Sequence, residues 1–322
     1  RKKEVVKDID IVASTSNSEA VMEFFTNLDE AYEIIAKGDT KSSIRLKSGI
    51  NTDIRTVEEF QYPYALHHFT GSKEHNTAMR SHAKKYGIKI NEYGLFKNEK
   101  IIKCNNEQDI FKVFNMDYIE PELRENTGEI EAALAKNLPK IISPEDIKGL
   151  FHFHTDASDG KMDLRQAVNE LLKMGFHYCG VADHSKTAAY ARGINDERIE
   201  NYINNIDKIN AEITGFKIFK GIESDILPDG NLDYSDEILK KFDFVIIAIH
   251  SNFNMNQKQM TQRIIKAMQN RYATILAHPT GRILLTREPY NVDIISVIDA
   301  AAEFNVDLEI NASPSRLDLD WQ

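Results

Sequence analysis

The chain has 322 residues, more than most single domains, so two compact units with separate cores are expected. Hydrophobic residues make up 42% and charged residues 28%. No apolar run approaches the roughly 18 residues that cross a bilayer, and the N-terminus has no signal-peptide pattern, so we expect a cytoplasmic protein without a membrane span. The net charge of −10 does not exclude nucleic acid as a partner, because bound cations would offset an acidic site.

The first half carries a pattern of carboxylates on predicted strands. Residues 5–12 alternate so that Asp8 and Asp10 project from one face while the apolar residues face the core. A second strand at residues 50–57 carries Asp53. Three such carboxylates could hold two Mg²⁺ ions for in-line phosphoryl transfer, although an alternating Asp-x-Asp alone is more often a solvated strand face.

A longer motif follows these strands. Residues 64–72, Tyr-Ala-Leu-His-His-Phe-Thr-Gly-Ser, precede Asn76, Met79-Arg80 and Ile90-Asn91-Glu92-Tyr93. In order and spacing, residues 1–137 resemble the palm and thumb of family X DNA polymerases. The resemblance implies an α+β, nucleotidyltransferase-like fold.

The same resemblance implies roles for individual residues. It makes Asp8, Asp10 and Asp53 the catalytic ligands of Mg²⁺, and it gives nucleotide or DNA contacts to Gly71, Ser72, Asn76 and Arg80. Gly71 and Ser72 would form a tight turn beside the nucleotide's sugar, Asn76 would contact its base edge, and Arg80 the template side. The alternatives are a helix-surface amide for Asn76 and a solvated helix residue for Arg80.

A boundary between two domains is predicted near residues 138–148. Pro139 and Pro144 interrupt regular structure there, so this segment is taken as a linker. Beyond it, short apolar runs alternate with amphipathic ones, which predicts a parallel α/β barrel or open sheet. The predicted strands are residues 150–154, 178–184, 216–226, 242–250, 273–278 and 306–312, and the predicted helices include residues 164–174, 196–213 and 260–271.

Polar residues fall near the ends of these strands, which in a β/α barrel meet at one mouth. They are His152, His154, Asp159, His184, Glu223, His250 and His278. His152 and His154 lie two apart in a strand and should reach one ion while Phe153 faces the core. Any one of these histidines alone is more often a satisfied strand-end residue. Imidazoles and carboxylates without thiolates suit Zn²⁺, Mn²⁺ or Fe²⁺ bound for hydrolysis, and the two cysteines, Cys104 and Cys179, form no zinc motif.

Taken in order, these motifs resemble the PHP (polymerase and histidinol phosphatase) superfamily. The resemblance covers about residues 148–320 and implies that residues 149–322 form a distorted (β/α)7 barrel with a trinuclear metal site. The family's final Asp-x-His motif does not follow in this sequence. We therefore expect that the last strand and two ligands, and upstream a Gly-Ser that binds the triphosphate, lie outside this chain.

The two resemblances together imply a repair polymerase. We expect gap-filling nucleotide addition in base-excision repair, with a PHP phosphodiesterase that acts as a 3′→5′ exonuclease. The expected partners are gapped or nicked DNA and dNTP, and a monomer is favoured although the oligomeric state stays open. The alternatives are a small-molecule phosphatase of the histidinol-phosphate phosphatase type and a non-catalytic, metal-stabilised PHP scaffold.

Overall fold

The computed structural model describes residues 1–320, and the chain divides into two compact units, Arg1–Ile141 and Ile142–Gln322. The division falls within the predicted linker, whose extent stays a prediction. Within residues 1–320, every helix is too short or too polar to cross a membrane.

The first unit begins with a four-stranded sheet and one helix. The strands are β1 (Asp8–Ser14), β2 (Ala31–Lys37), β3 (Lys41–Leu46) and β4 (Asn51–Val57), and the helix is α1 (Ser18–Thr26). Their order is β1-β4-β3-β2, with β1 parallel to β4 and the other pairs antiparallel. Met22 and Phe25 of α1 pack on Ile44 and Ile54 of the sheet.

One expectation about β1 is wrong. Its apolar alternates Ile9 and Ile11 were predicted to face the core, but each is 39% exposed. The reason is that β1 is an edge strand, while α1 packs on β2, β3 and β4.

The rest of the first unit is helical with a small antiparallel sheet. Its elements are α2 (Tyr62–Thr70), α3 (Lys73–Lys84), β5 (Ile88–Asn91), β6 (Gly94–Lys97), β7 (Lys100–Ile102), α4 (Glu107–Lys112) and α5 (Glu129–Leu134). Tyr64, Met79 and Phe111 share its core. A fully buried Arg124 donates to Glu107 at 2.6 Å, which balances its charge inside this unit.

The second unit alternates strands and helices. Its strands are β8 (Gly149–Phe153), β9 (Tyr178–His184), β10 (Lys217–Asp225), β11 (Phe244–Ala248), β12 (Ile275–Leu276) and β13 (Asp307–Leu308). Its helices are α6 (Leu164–Lys173), α7 (Ile199–Glu212), α8 (Asp236–Leu239), α9 (Gln257–Met268) and α10 (Ile294–Phe304). All six strands are parallel and lie in chain order, as in a β/α barrel.

The six-stranded sheet is strongly curved. In a flat sheet β8 and β13 would lie about 24 Å apart, five strand spacings. Instead, the His152 ring on β8 contacts the carboxylate of Glu309, the residue after β13. The curvature brings the C-terminal strand ends together around one mouth, as the barrel prediction required.

Candidate active sites

The second unit gathers five histidines around one buried carboxylate. Glu223 lies on β10 and is 1% exposed. Its oxygens lie 2.9 Å from His184 Nδ1, 3.0 Å from His278 Nε2, 3.1 Å from His152 Nε2, and 3.3 Å from the Nε2 atoms of His154 and His250. One carboxylate cannot neutralise five imidazolium ions, so the arrangement suits neutral imidazoles that share metal ions.

The chain topology explains why these side chains meet. His184 is the last residue of β9, whereas His250 and His278 follow two residues after β11 and β12 end. The prediction that His250 and His278 lie on the strands themselves is wrong, because each histidine lies in the loop that follows its strand. These histidines still lie close together because the C-terminal ends of parallel strands share one edge of the sheet.

The His152–His154 pair reaches the cluster through a bulge rather than a regular strand. The pairing of β8 with β9 shifts register between Phe151 and Phe153, and His152 has φ +62°. A positive φ costs a non-glycine residue about 1–3 kcal/mol. The simple alternation that was predicted is therefore wrong, although Phe153 packs on the core as expected and both imidazoles contact Glu223.

Asp159 lies on the loop that follows β8. One of its oxygens is 2.7 Å from His154 Nδ1 and the other is 3.6 Å from His184 Nε2. The predicted ligand therefore lies at the cluster, and it bridges histidines from two neighbouring strands.

A fully buried carboxylate holds this loop in place. Asp183 of β9 accepts hydrogen bonds from the Thr155 backbone N–H at 2.8 Å, the Thr155 hydroxyl at 2.8 Å and the Ser158 hydroxyl at 2.5 Å. Gly160 lets the loop close tightly, because a Cβ there would lie 2.2 Å from the His154 carbonyl oxygen. Asp183 thus positions Asp159 without belonging to the cluster.

The first unit brings its three predicted carboxylates together on one face. The parallel register pairs Asp10 with Asp53, and Asp8 lies two residues before Asp10 on β1. Burial and the neighbouring carboxylates Asp8 and Asp53 raise the pKa of Asp10. Lys41 Nζ lies 2.6 Å from Asp53, and although burial opposes it, this contact helps to hold the pKa of Asp53 below its ordinary value. Such a cluster fits hard cations with oxygen ligands.

The predicted nucleotide-binding residues lie at the turn between α2 and α3. A Cβ on Gly71 would lie 2.8 Å from Asn76 Oδ1, so a larger residue there would displace the Asn76 side chain. Ser72 caps α3 by accepting from the backbone N–H three residues later at 3.0 Å. Asn76 Nδ2 donates to the carbonyls of His68 at 2.7 Å and Gly71 at 3.2 Å, and Arg80 is exposed with Nη2 3.2 Å from His68 Nδ1. Their contacts with nucleotide and template stay predictions.

Comparison with known proteins agrees with both halves. Residues 151–311 match the PHP domain family, and residues 65–125 match the DNA polymerase beta thumb. A DNA polymerase/3′-5′ exonuclease PolX of Bacillus subtilis (strain 168) is 40% identical over 99% of this chain. The chain belongs to the PHP family, and its first unit is similar to the thumb of DNA polymerase beta. The chain spans 56% of the length of the B. subtilis relative.

Other relatives match only part of the chain. A probable phosphatase of Caldanaerobacter subterraneus is 30% identical over 50% of this chain and 61% of its own length. A repair DNA polymerase X of African swine fever virus is 27% identical over 38% of this chain and 76% of its own length.

The histidines and carboxylates around Glu223 are called the PHP cluster below. Two of its carboxylates were not predicted from the sequence. Asp225 lies 2.7 Å from His250 Nδ1, and Glu309 contacts His152 Nδ1 and accepts the His278 backbone N–H at 2.7 Å. Both had a signal. Asp225 follows two residues after Glu223 on the same strand face, and Glu309 alternates with apolar residues in the predicted strand at residues 306–312.

The charged groups of the PHP cluster shift one another's pKa values. Burial alone would raise the pKa of Glu223, but the charges of His152 and His250 and hydrogen bonds from the histidines hold the pKa well below its ordinary value. Burial lowers the pKa of His278. Burial also lowers the pKa of His152, but the carboxylates of Glu223 and Glu309 outweigh burial and raise this pKa to about 10. The carboxylates around His152 therefore favour its protonated form, whereas burial favours the neutral form of His278.

The donors fit divalent transition metals. Three sets of ligand atoms each lie within 4.8 Å of one another, namely His152, Glu223 and His278; His154, His184 and Glu223; and His184, Asp225 and His250. His184 Nδ1 and Glu223 Oε2 are buried and lack a hydrogen-bond partner among the described residues, although they lie 2.9 Å apart. Unsatisfied nitrogen and carboxylate donors at one point are what a metal ion would bind.

A cavity of about 770 Å³ opens at the PHP cluster. Its polar part is lined by the cluster residues, by Asn311 and by Arg316, and its apolar part by Phe151, Ile246 and Ile275 of the inner sheet face. The volume lies in the range of ligand-binding pockets. Substrate can therefore reach the histidines from this side.

Proposed function

We propose that this chain is part of an enzyme that adds deoxynucleotides to DNA and hydrolyses phosphodiesters. The observation that carries the proposal is the presence, in one chain, of two separate acidic sites of different ligand type. One site has the three carboxylates of the first unit, and the other has the histidines around Glu223. Oxygen donors alone favour Mg²⁺, whereas imidazoles favour Zn²⁺, Mn²⁺ or Fe²⁺.

The palm residues fit nucleotidyl transfer. Mg²⁺ held by Asp8, Asp10 and Asp53 would activate the primer 3′-hydroxyl and offset charge on the α-phosphate. The paired strands hold Asp10 and Asp53 side by side, so these ligands need little rearrangement. The turn at Gly71 packs closely on Asn76, and Arg80 is exposed for a template contact.

The PHP residues fit hydrolysis of the primer end. Divalent ions there would supply a hydroxide at neutral pH and polarise the phosphodiester. Asp225 and Glu309 engage the Nδ1 atoms of His250 and His152, which orients their Nε2 atoms toward Glu223 and the shared ligand position. The 3′→5′ direction is adopted from the name of the B. subtilis relative. The proposed substrates are gapped or nicked DNA and dNTP.

A second candidate function is a small-molecule phosphatase, which the similarity of the PHP domain to a probable phosphatase favours. A purely structural PHP domain is the third reading. It is disfavoured because all seven predicted ligand positions keep ligand side chains and converge on one point.

One assay separates these functions. The full-length protein is incubated with a gapped, 5′-labelled duplex and Mg²⁺ or Mn²⁺, with and without dNTP, and in parallel with histidinol phosphate. We expect primer extension with dNTP and primer shortening without it. Hydrolysis of histidinol phosphate with an unchanged primer would support the phosphatase, and extension without any hydrolysis would support the structural role.

A further inference from the structure

One arginine at the mouth of the PHP cluster lacks a protein partner. Arg316 lies on the turn after β13 and lines the cavity with Asp159, Glu223 and the histidines. Its Nη1 is buried without a hydrogen-bond acceptor in the part of the chain that the structure describes. Leaving a buried charged donor unpaired is costly, so the guanidinium is arranged for something other than this protein's own acceptors.

The neighbouring arginines are different, because they hold the loops around the cavity. Arg282 Nε donates to the Arg316 carbonyl at 3.0 Å. Arg287 Nε donates to the Gly281 carbonyl at 2.9 Å, and its guanidinium lies 4.5 Å from the ring centre of Phe253. The side chains of Arg282 and Arg287 donate to backbone carbonyls, whereas Arg316 Nη1 has no acceptor among residues 1–320.

The backbone presents Arg316 rigidly. Its N–H donates to the Ser313 carbonyl at 2.8 Å, and its carbonyl accepts from Arg282. Beside it, the Leu284 N–H donates to the Ser315 carbonyl at 2.7 Å. These hydrogen bonds hold the turn that carries the Arg316 side chain at the cavity.

An exposed aromatic ring lies beside His184, one of the residues that line the cavity. Tyr190 is 72% exposed, and its ring centre is 6.0 Å from that of His184. Burial of its hydroxyl raises the pKa of Tyr190 to about 12, the carboxylates of Asp225 and Glu223 add to the rise, and Arg316 opposes it. The Tyr190 ring therefore lies beside the cluster with most of its surface open to solvent.

We propose that Arg316 and Tyr190 form a binding site for one nucleotide beside the PHP metal ligands. The guanidinium binds the phosphate through paired N–H donors, and the Tyr190 ring stacks on the base. A planar fork of donors matches two phosphate oxygens, and aromatic side chains stack on any base. The inference rests on the proposed hydrolysis and extends it, since it names a nucleotide ester rather than a small phosphomonoester as the substrate.

Binding to the Mn²⁺-loaded chain tests the site without requiring turnover. Inorganic phosphate and thymidine 5′-monophosphate are titrated calorimetrically into wild type, Arg316→Gln, Arg316→Lys, Tyr190→Ala and Tyr190→Phe. Arg316→Gln should weaken both ligands by about tenfold to a hundredfold, the range of a charge-assisted hydrogen bond, and Arg316→Lys should recover part of the loss. Tyr190→Ala should weaken only the nucleotide, by at least about fivefold, and Tyr190→Phe should restore it.

A matched control and a second readout keep the outcomes distinct. Arg165→Gln removes an arginine that pairs with Glu212 away from the cavity, and it should bind both ligands like wild type. Metal content by elemental analysis should be unchanged in every variant. Wild-type affinity of Arg316→Gln for phosphate, or equal weakening of both ligands by Tyr190→Ala, would overturn the proposal. A wild-type chain that binds thymidine monophosphate with these dependences but never hydrolyses DNA would instead refute the proposed function alone.

Discussion

Glu223 shows how a single residue organises the PHP cluster. It is buried and lies within 3.3 Å of nitrogens from five histidines. Its negative charge favours protonated imidazoles when metal is absent and metal-bound neutral imidazoles when metal is present. Metal binding and proton release are therefore coupled at this carboxylate.

This coupling predicts a pH dependence of metal binding. Burial lowers the pKa of His152 and His250, but Glu223 and the carboxylates at their Nδ1 atoms outweigh burial, so these pKa values rise to about 10 and about 9. Such groups stabilise the metal-free fold below the unfolded pKa of about 6.5, and this stabilisation is lost as the pH rises toward 9–10. The increase in Tm caused by Mn²⁺ should therefore grow between about pH 6.5 and 9. An increase that is independent of pH would contradict the coupling.

At the palm, Lys41 is expected to compete with the metal. Its Nζ lies 2.6 Å from Asp53, where a divalent ion would be held. In a Glu223→Gln background, which disables the PHP site, Lys41→Met should raise the Mn²⁺ affinity measured by electron paramagnetic resonance. The pair is partly exposed, so a rise of up to about fivefold is expected. Lys37→Met is the control, because Lys37 pairs with Glu23 instead; equal effects of the two substitutions would argue against competition.

At the scale of elements, the loop after β8 depends on Asp183. Asparagine at this position keeps one acceptor oxygen for three donors, so Asp183→Asn should destabilise the second unit by about 1.5–3 kcal/mol. It should also lower the metal content, because Asp159 would lose its support. Urea unfolding and elemental analysis measure the two effects. Asp243→Asn changes an exposed carboxylate that accepts one backbone bond at 2.8 Å and should alter neither quantity by as much.

A buried histidine in α2 predicts an acid-sensitive first unit. Burial holds the pKa of His67 well below its ordinary value, with smaller contributions from Arg124 and His75. Since His67 is neutral when folded and regains a pKa of about 6.5 when unfolded, stability should fall as the pH drops below about 6.5, by about 1.4 kcal/mol per pH unit. Hydrogen exchange of α2 between pH 7 and 5 should show a smaller slope in His67→Leu. The exposed His177→Leu should leave the slope unchanged.

Sequence predicted the elements better than their local geometry. The alternation of strands and helices placed six parallel strands, and strand-end histidines indicated a common mouth. The bulge at His152 was not predictable, since its φ of +62° is imposed by contacts with Glu223 and Glu309, which come from distant strands. Glu309 was missed for the same reason, because only the curvature of the sheet brings β13 to β8.

At the scale of the whole molecule, the two proposed chemistries belong to two units with different ligand types. Residues 1–140 are nearly balanced, with 21 basic and 23 acidic residues, whereas residues 141–322 have 19 and 27. The excess of acid in the PHP unit agrees with a site that gains several positive charges when metal binds. Because the two sets of ligands share no residue, each activity should be removable without the other.

The most direct test compares two variants of the full-length protein on one gapped, 5′-labelled duplex. Asp53→Ala removes a palm ligand and should abolish primer extension with dNTP while primer shortening continues. His152→Ala removes a PHP ligand and should abolish shortening while extension continues. Loss of both activities in either variant, or undiminished shortening in His152→Ala, would contradict the assignment of separate polymerase and hydrolase sites.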